Sequence, residues 1–143
     1  MQQTIATERT QHLELGLIRS ATMTDVLLAT DADWLFADVA ASLGGTHNVH
    51  RVREGSAVAA AIAAVEPELV ILDLQIGNMG GVATSLLIKQ EARAGRLPDV
   101  PVLLLLDREA DEFLATTSDA DAWVTKPLNS LALRRAAQQL LPA

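Results

Sequence analysis

Four large aliphatic residues in a row, Leu69-Val70-Ile71-Leu72, run into a single carboxylate, Asp73, and then into a glycine-bearing loop from Gly77 to Gly81. An unbroken aliphatic run of this length reads as a strand buried on both faces, the kind found in parallel sheets covered by helices on either side. Asp73 stands where that strand leaves the sheet. In open α/β sheets ligands bind outside the carboxyl ends of the strands, where a charge is partly solvated and still has low-dielectric walls. A turn cap is the plainer role for the same residue, and this stretch alone does not choose between them.

The rest of the chain repeats the same unit. Asp25-Val26-Leu27-Leu28-Ala29-Thr30 reads as a buried strand ending in Asp31-Ala32-Asp33. Trp34, Leu35, Val39 and Leu43 then recur near a period of 3.6, and Gly44-Gly45 stops that helix. Val49 to Val52 forms a short polar strand, and the Ala-rich stretch from Glu54 to Val65 is a strong helix former closed by Pro67. After the Leu69 strand, Gly81 to Ala94 carries Leu86, Leu87 and Ile88 among polar residues and reads as a helix broken by Gly95 and Pro98. Pro101 to Leu106 is the most apolar strand, and Asp107-Arg108-Glu109 leads into a short helix through Phe113 and Leu114. Ala122 to Lys126 is a fifth strand cut by Pro127. Asn129 or Ser130 caps a last helix, with Leu131, Leu133, Ala136, Leu140 and Leu141 as its apolar stripe. Five β-α alternations predict a doubly wound five-stranded parallel sheet with five helices, joined by right-handed crossovers.

Composition narrows the chemistry. At 143 residues the chain is long enough for one self-sufficient domain. The absence of Cys excludes disulfides and thiolate metal sites, and His12, His47 and His50 are too scattered for a zinc site. His47 and His50 flank a polar strand and are expected to be exposed. The net charge of -7 argues against nucleic acid as a partner, and Arg134-Arg135 is too small a basic patch to change that. No apolar run approaches the roughly 20 residues of a membrane span, and the N-terminus lacks the apolar core of a secretory signal. The expected location is cytoplasmic. Residues 1–22 are polar and weakly patterned, which predicts a disordered extension preceding a domain over 23–143. Met23, directly before the first strand, is an alternative start position.

With this order of elements, carboxylates stand at the ends of strands one and three and a lysine at the end of strand five: Asp31 (with Asp33 nearby), Asp73 and Lys126. Should those strands end on one edge, the groups converge. Two carboxylates about 4 Å apart repel by about 4 kcal/mol at an effective dielectric of about 20, so such a pair needs a cation. Mg²⁺ suits it, since hard oxygen ligands and several waters are its preferred shell. A carboxylate, a magnesium ion and a lysine together suit phosphoryl chemistry, with the cations neutralising charge while the aspartate attacks in line.

Taken in order and spacing, several motifs resemble the receiver domain of response regulators in two-component signalling. They are Val26 to Asp31, Pro67 to Gln75 with Gly77, Met79 and Gly81, Pro101 to Leu105, and Ala120 to Pro127, and the resemblance covers about residues 24–142. It implies a flavodoxin-like (βα)5 fold, with Asp73 as phosphoacceptor, Asp31 as a magnesium ligand and Lys126 as the partner of the phosphoryl group. The backbone carbonyl of Gln75 would complete the metal site, and the Lys126–Pro127 bond is expected to be cis. The implied donor is a sensor histidine kinase.

The chain departs from that pattern at several points. The first of two adjacent acids after strand one is replaced by Thr30, whose hydroxyl could hold a metal-bound water. The switch position closing strand four is Leu106 rather than Thr or Ser, so it offers no donor. The aromatic switch position carries Trp123, and Gly77 and Gly80 replace the commoner Pro and Asp.

The leading expectation is a single-domain response regulator that signals through protein contacts at the fourth helix, fifth strand and fifth helix, where Trp123 lies. Pairing into a homodimer is compatible with it, and the downstream target is unknown. The alternative is a pseudo-receiver, a binding module acting without phosphorylation, motivated by Thr30 and Leu106. A third reading takes Asp31-Ala32-Asp33 as the motif of haloacid dehalogenase-like phosphatases, with Asp31 attacking and Asp33 as general acid. Trp34 is expected beside the site.

Overall fold

The structure, a computed structural model, describes residues 23–142. The expected N-terminal extension, residues 1–22, lies outside the described residues. The elements are β1 (Thr24–Ala29), α1 (Asp33–Leu43), β2 (His47–Val52), α2 (Val58–Val65), β3 (Leu69–Asp73), α3 (Gly81–Arg93), β4 (Val102–Leu106), α4 (Glu112–Thr117), β5 (Ala122–Thr125) and α5 (Ser130–Leu140). Short 3₁₀ turns, Gly55–Ala57 and Glu109–Asp111, precede α2 and α4. All strand pairs are parallel, in the order β2-β1-β3-β4-β5. The expected five-stranded doubly wound sheet with five helices is therefore what forms.

Alternation along each strand divides the core into two layers. Leu27, Ala29, Val70, Leu72, Leu104 and Leu106 point to the face covered by α2, α3 and α4. Val26, Leu28, Leu69, Ile71, Leu103 and Leu105 point to the face covered by α1 and α5. β3 and β4 are buried along their whole length, as their aliphatic runs imply. Each such Leu or Ile contributes roughly 1.5–3 kcal/mol by leaving water.

Several local expectations are corrected. β2 begins at His47, earlier than its apolar residues suggest, because Thr24 to Ala29 pair with His47 to Val52 residue for residue. His47 and His50 are part-buried rather than exposed, since His47 Nδ1 meets the Thr24 hydroxyl at 2.6 Å and His50 Nε2 meets Asp25 at 3.0 Å. The first turn of the Ala-rich helix is 3₁₀, and there Gly55 and Ser56 donate their N–H groups to the carbonyls of Gly77 and Asn78 at 3.0 and 2.8 Å. The inward face of α3 is Gly81, Thr84, Ser85, Ile88 and Lys89, while Leu86 is exposed. Lys89 reaches the Val100 carbonyl and the Asp121 carboxylate, and that pairing lets a lysine replace an aliphatic residue there. In α5 the buried residues are Leu133 and Ala137, and Leu131 is half exposed. Asn129 caps α5, accepting from the N–H groups of Leu131 and Ala132.

Strand order fixes where a site can form. The chain moves outward from β1 to β2, then crosses back over β1 to β3 and continues the other way, so the direction of winding reverses between β1 and β3. The carboxyl ends of those two strands border the crevice that such a reversal opens.

Candidate functional site

Ala29 pairs with Leu72, so the next residues of the two strands, Thr30 and Asp73, emerge side by side. Asp73 is almost fully buried, and its two carboxylate oxygens have different partners. Oδ2 accepts from the Thr30 hydroxyl at 2.7 Å. Oδ1 accepts from Lys126 Nζ at 2.6 Å and from the Gln75 backbone N–H at 3.0 Å. Lys126 arrives because β5 pairs with β4 up to Thr125 opposite Leu106, and the Lys126 N–H then bonds the Leu106 carbonyl. The Lys126–Pro127 bond is cis, as expected.

Thr30 is itself held. Its hydroxyl accepts from the Ala32 N–H at 3.1 Å, and its carbonyl accepts from Arg51 Nε at 3.0 Å. Asp31 is exposed, and its Oδ2 lies 3.5 Å from where a side chain on Gly77 would begin. The exposed carboxylate therefore hangs over the loop that follows Asp73, and glycine leaves that space open. The loop is held from two directions. A side chain on Gly55 would collide with the Met79 carbonyl, and one on Gly81 would collide with the Asp73 carbonyl and Leu74. Only glycine allows these close approaches.

Asp107 completes the cluster; the sequence offered it only as a lone carboxylate after strand four, not as a partner of Lys126. It directly follows β4, and its Oδ1 accepts from Lys126 Nζ at 2.8 Å. Two carboxylates thus share one ammonium. Burial on its own would lower the Lys126 pKa, but hydrogen bonds to Asp107 and Asp73 and their charges outweigh it and raise the pKa above the ordinary 10.5. Burial would likewise raise the Asp107 carboxyl, yet the Lys126 hydrogen bond, the neighbouring Gln75 side chain and the Lys126 and Arg108 charges hold it below its ordinary value. The signal for Asp107 was present in the sequence: like Asp31 and Asp73, it is a carboxylate closing an apolar strand.

The other expected residues fall as follows. Leu106 is fully buried in the layer under α2, α3 and α4, and Trp123 packs part-buried against the same layer. Trp34 opens α1 and is more than half exposed. Asp33 points away from Asp73 to Arg51 and Arg53, at 2.8 and 3.2 Å. Those hydrogen bonds and charges, Arg51's first, hold the Asp33 carboxyl below its ordinary range. An acid so favoured in its ionised form is poorly suited to donate a proton, which disfavours the phosphatase reading.

The fold is shared with known proteins. A signal receiver domain of a histidine kinase from Syntrophus aciditrophicus superposes with a TM-score of 0.73 at 24% identity, covering 82% of this chain and 89% of that one. The beryllofluoride-activated receiver domain of RstA from Klebsiella pneumoniae gives 0.72 at 20% identity, covering 83% and 99%. The chemotaxis response regulator CheY4 of Vibrio cholerae gives 0.73 at 21% identity, covering 84% and 100%. The chain has the response regulator receiver fold. In sequence it is 30% identical over 110 residues to the sensory transduction protein BceR of Bacillus subtilis, an alignment covering 75% of this chain. The chain spans 45% of that relative's length. No protein-family model matches the chain.

Proposed function

We propose that this receiver-fold chain accepts a phosphoryl group on Asp73 from a histidine kinase and passes the signal on through protein contacts. The observation that carries this reading is Asp73 itself: a buried carboxylate at the winding reversal, bonded through one oxygen to Lys126 and through the other to Thr30. In the transfer an Asp73 oxygen attacks the phosphorus of the phosphohistidine. The O–P bond of an acyl phosphate forms, the N–P bond breaks, and the leaving imidazole takes up a proton. Lys126 orients the carboxylate and offsets charge on the transferring group.

Asp73 and Asp107 share a single ammonium, and the exposed Asp31 lies over the loop that follows Asp73; that excess of negative charge calls for a further cation. The hard oxygen donors suit Mg²⁺. Asp31, Asp73 and the Gln75 carbonyl would hold it, with Thr30 assisting through water. When bound, the metal supplies charge neutralisation on the phosphoryl oxygens. Among the described residues no helix is long and apolar enough to cross a membrane. A cytoplasmic location and a signalling rather than turnover role belong to the same proposal, as does any self-catalysed dephosphorylation. Trp123, at the edge of the layer holding Leu106, makes β5 and its flanking helices the proposed contact surface.

Incubation with acetyl phosphate and Mg²⁺ tests the reading. Intact mass should show one added phosphoryl group on the wild type and none on Asp73→Asn. An unchanged wild-type mass would favour the pseudo-receiver alternative, for which the buried, donor-free Leu106 is the specific observation.

A further inference from the structure

Lys126 meets Asp107 at 2.8 Å and Asp73 at 2.6 Å, and its side chain is about one-tenth exposed. The ammonium has three hydrogens to give but a single positive charge, and two carboxylates already divide it. A phosphoryl group arriving on Asp73 adds negative charge and oxygens that need the same ammonium. Asp107 is thus both a competitor for Lys126 and a like charge beside the incoming group. Its surroundings also leave it incompletely satisfied. Asp107 Oδ2 is buried without a hydrogen-bond partner, while the side chain as a whole is about one-third exposed. A buried oxygen without a donor is costly, and rotating outward would hydrate it. The residue stands between the end of β4 and the 3₁₀ turn Glu109–Asp111, so a change at Asp107 need not disturb the ladder.

We propose that Asp107 is a resident counter-ion of Lys126 that must be displaced when Asp73 is phosphorylated, and that it thereby slows phosphorylation. This rests on the reading of Asp73 as phosphoacceptor. Asp107 does not bond the phosphoryl group and acts mainly through Lys126, so it is a positioning residue. The contact keeps Lys126 aimed at the site before phosphorylation and opposes the capture of Lys126 by the phosphoryl oxygens. The displaced carboxylate is also a local conformational consequence of phosphorylation at the start of the β4–α4 connection, at a site whose expected switch residue, Leu106, has no hydroxyl to move.

The test compares wild type, Asp107→Asn, Asp107→Glu and Asp73→Asn in acetyl phosphate and Mg²⁺, following phosphoryl uptake by intact mass over time. Asp107→Asn should be phosphorylated on the order of tenfold faster than wild type, as expected for removing a charge-assisted competitor. Asp107→Glu, which keeps the charge, should stay near the wild-type rate. A purely structural role predicts that neither substitution speeds uptake. Equal or slower uptake by Asp107→Asn, or equal acceleration by both substitutions, overturns the proposal while Asp73-dependent uptake in wild type leaves the phosphoacceptor reading intact. Absence of Asp73-dependent uptake in all the proteins overturns both.

Discussion

The two oxygens of Asp73 face unlike neighbours. On the β1 side Oδ2 meets a neutral hydroxyl, Thr30, whose own position is fixed by the Ala32 N–H and by Arg51. On the β5 side Oδ1 meets a charged ammonium that a second carboxylate, Asp107, also claims. Relative to the receiver pattern that the sequence resembles, the β1 side has lost an acid and the β4–β5 side carries Asp107. The difference teaches where this site is weak and where it is strong. On the proposed reading one side offers a metal one acid fewer, and on the other the lysine is held by two carboxylates.

Removing the charged side should have the largest effect. Lys126→Met leaves Asp73 and Asp107 facing each other without a cation. Phosphoryl uptake should fall about a hundredfold, in line with losing a preorganised charge at the reacting group. Stability should fall by about 2–3 kcal/mol in urea titrations, below the roughly 3–5 kcal/mol for breaking a fully buried pair, because Asp107 is partly solvated. Equal stability of the variant would show that the lysine is not shared as described.

The neutral side can be made charged. Thr30→Asp places an acid beside Asp73 and Asp31, and Mg²⁺ affinity should rise about tenfold, comparable to one good charge-assisted contact. Fluorescence of Trp34 and Trp123 during Mg²⁺ titration reads it. The same substitution should lower the metal-free melting temperature, because three carboxylates then crowd one crevice. Thr30→Val, which deletes only the hydroxyl, should cost about 1 kcal/mol by leaving Asp73 Oδ2 and the Ala32 N–H short of a partner. Its Mg²⁺ affinity should change less than that of Thr30→Asp.

The smallest effect separates the site from the rest of the sheet. Lys126 is shifted up from 10.5 and Asp107 down from 3.8, so both move away from neutrality. His47 behaves differently: burial lowers its pKa below 6.5, with Glu68 opposing. A base with a lowered folded-state pKa contributes stability that is present above the unfolded value and declines as pH falls below it. A shallow loss of stability from about pH 6.5 downward is therefore expected in wild type and should flatten in His47→Gln. The same slope in His47→Gln would assign it elsewhere.

The fold was largely legible because its strands are near-continuous aliphatic runs and its turns carry Gly or Pro. Asp31, Asp73 and Lys126 were legible for the same reason, each lying just past or at a strand end. What escaped depends on contacts between distant segments. Thr84 and Lys89 face inward on α3 because Met79, Val100 and Asp121 supply partners, which helical periodicity cannot reveal. Asn78 and Met79 adopt positive φ in the loop after Asp73, where Gly55 and Ser56 hold its carbonyls. Asp107 escaped for another reason. Its place in the sequence suits a helix lead-in as well as a strand-end acid, and only the reach of Lys126 decides between them.

The central claim is that Asp73 is the phosphorylated residue. Protein treated with acetyl phosphate and Mg²⁺, reduced with borohydride and digested, can be searched by mass spectrometry for homoserine, the product of reducing an aspartyl phosphate. Homoserine at position 73 alone is the predicted result. Homoserine at Asp31 or Asp107 instead, or at no position in a protein that has taken up no phosphoryl group, would contradict it.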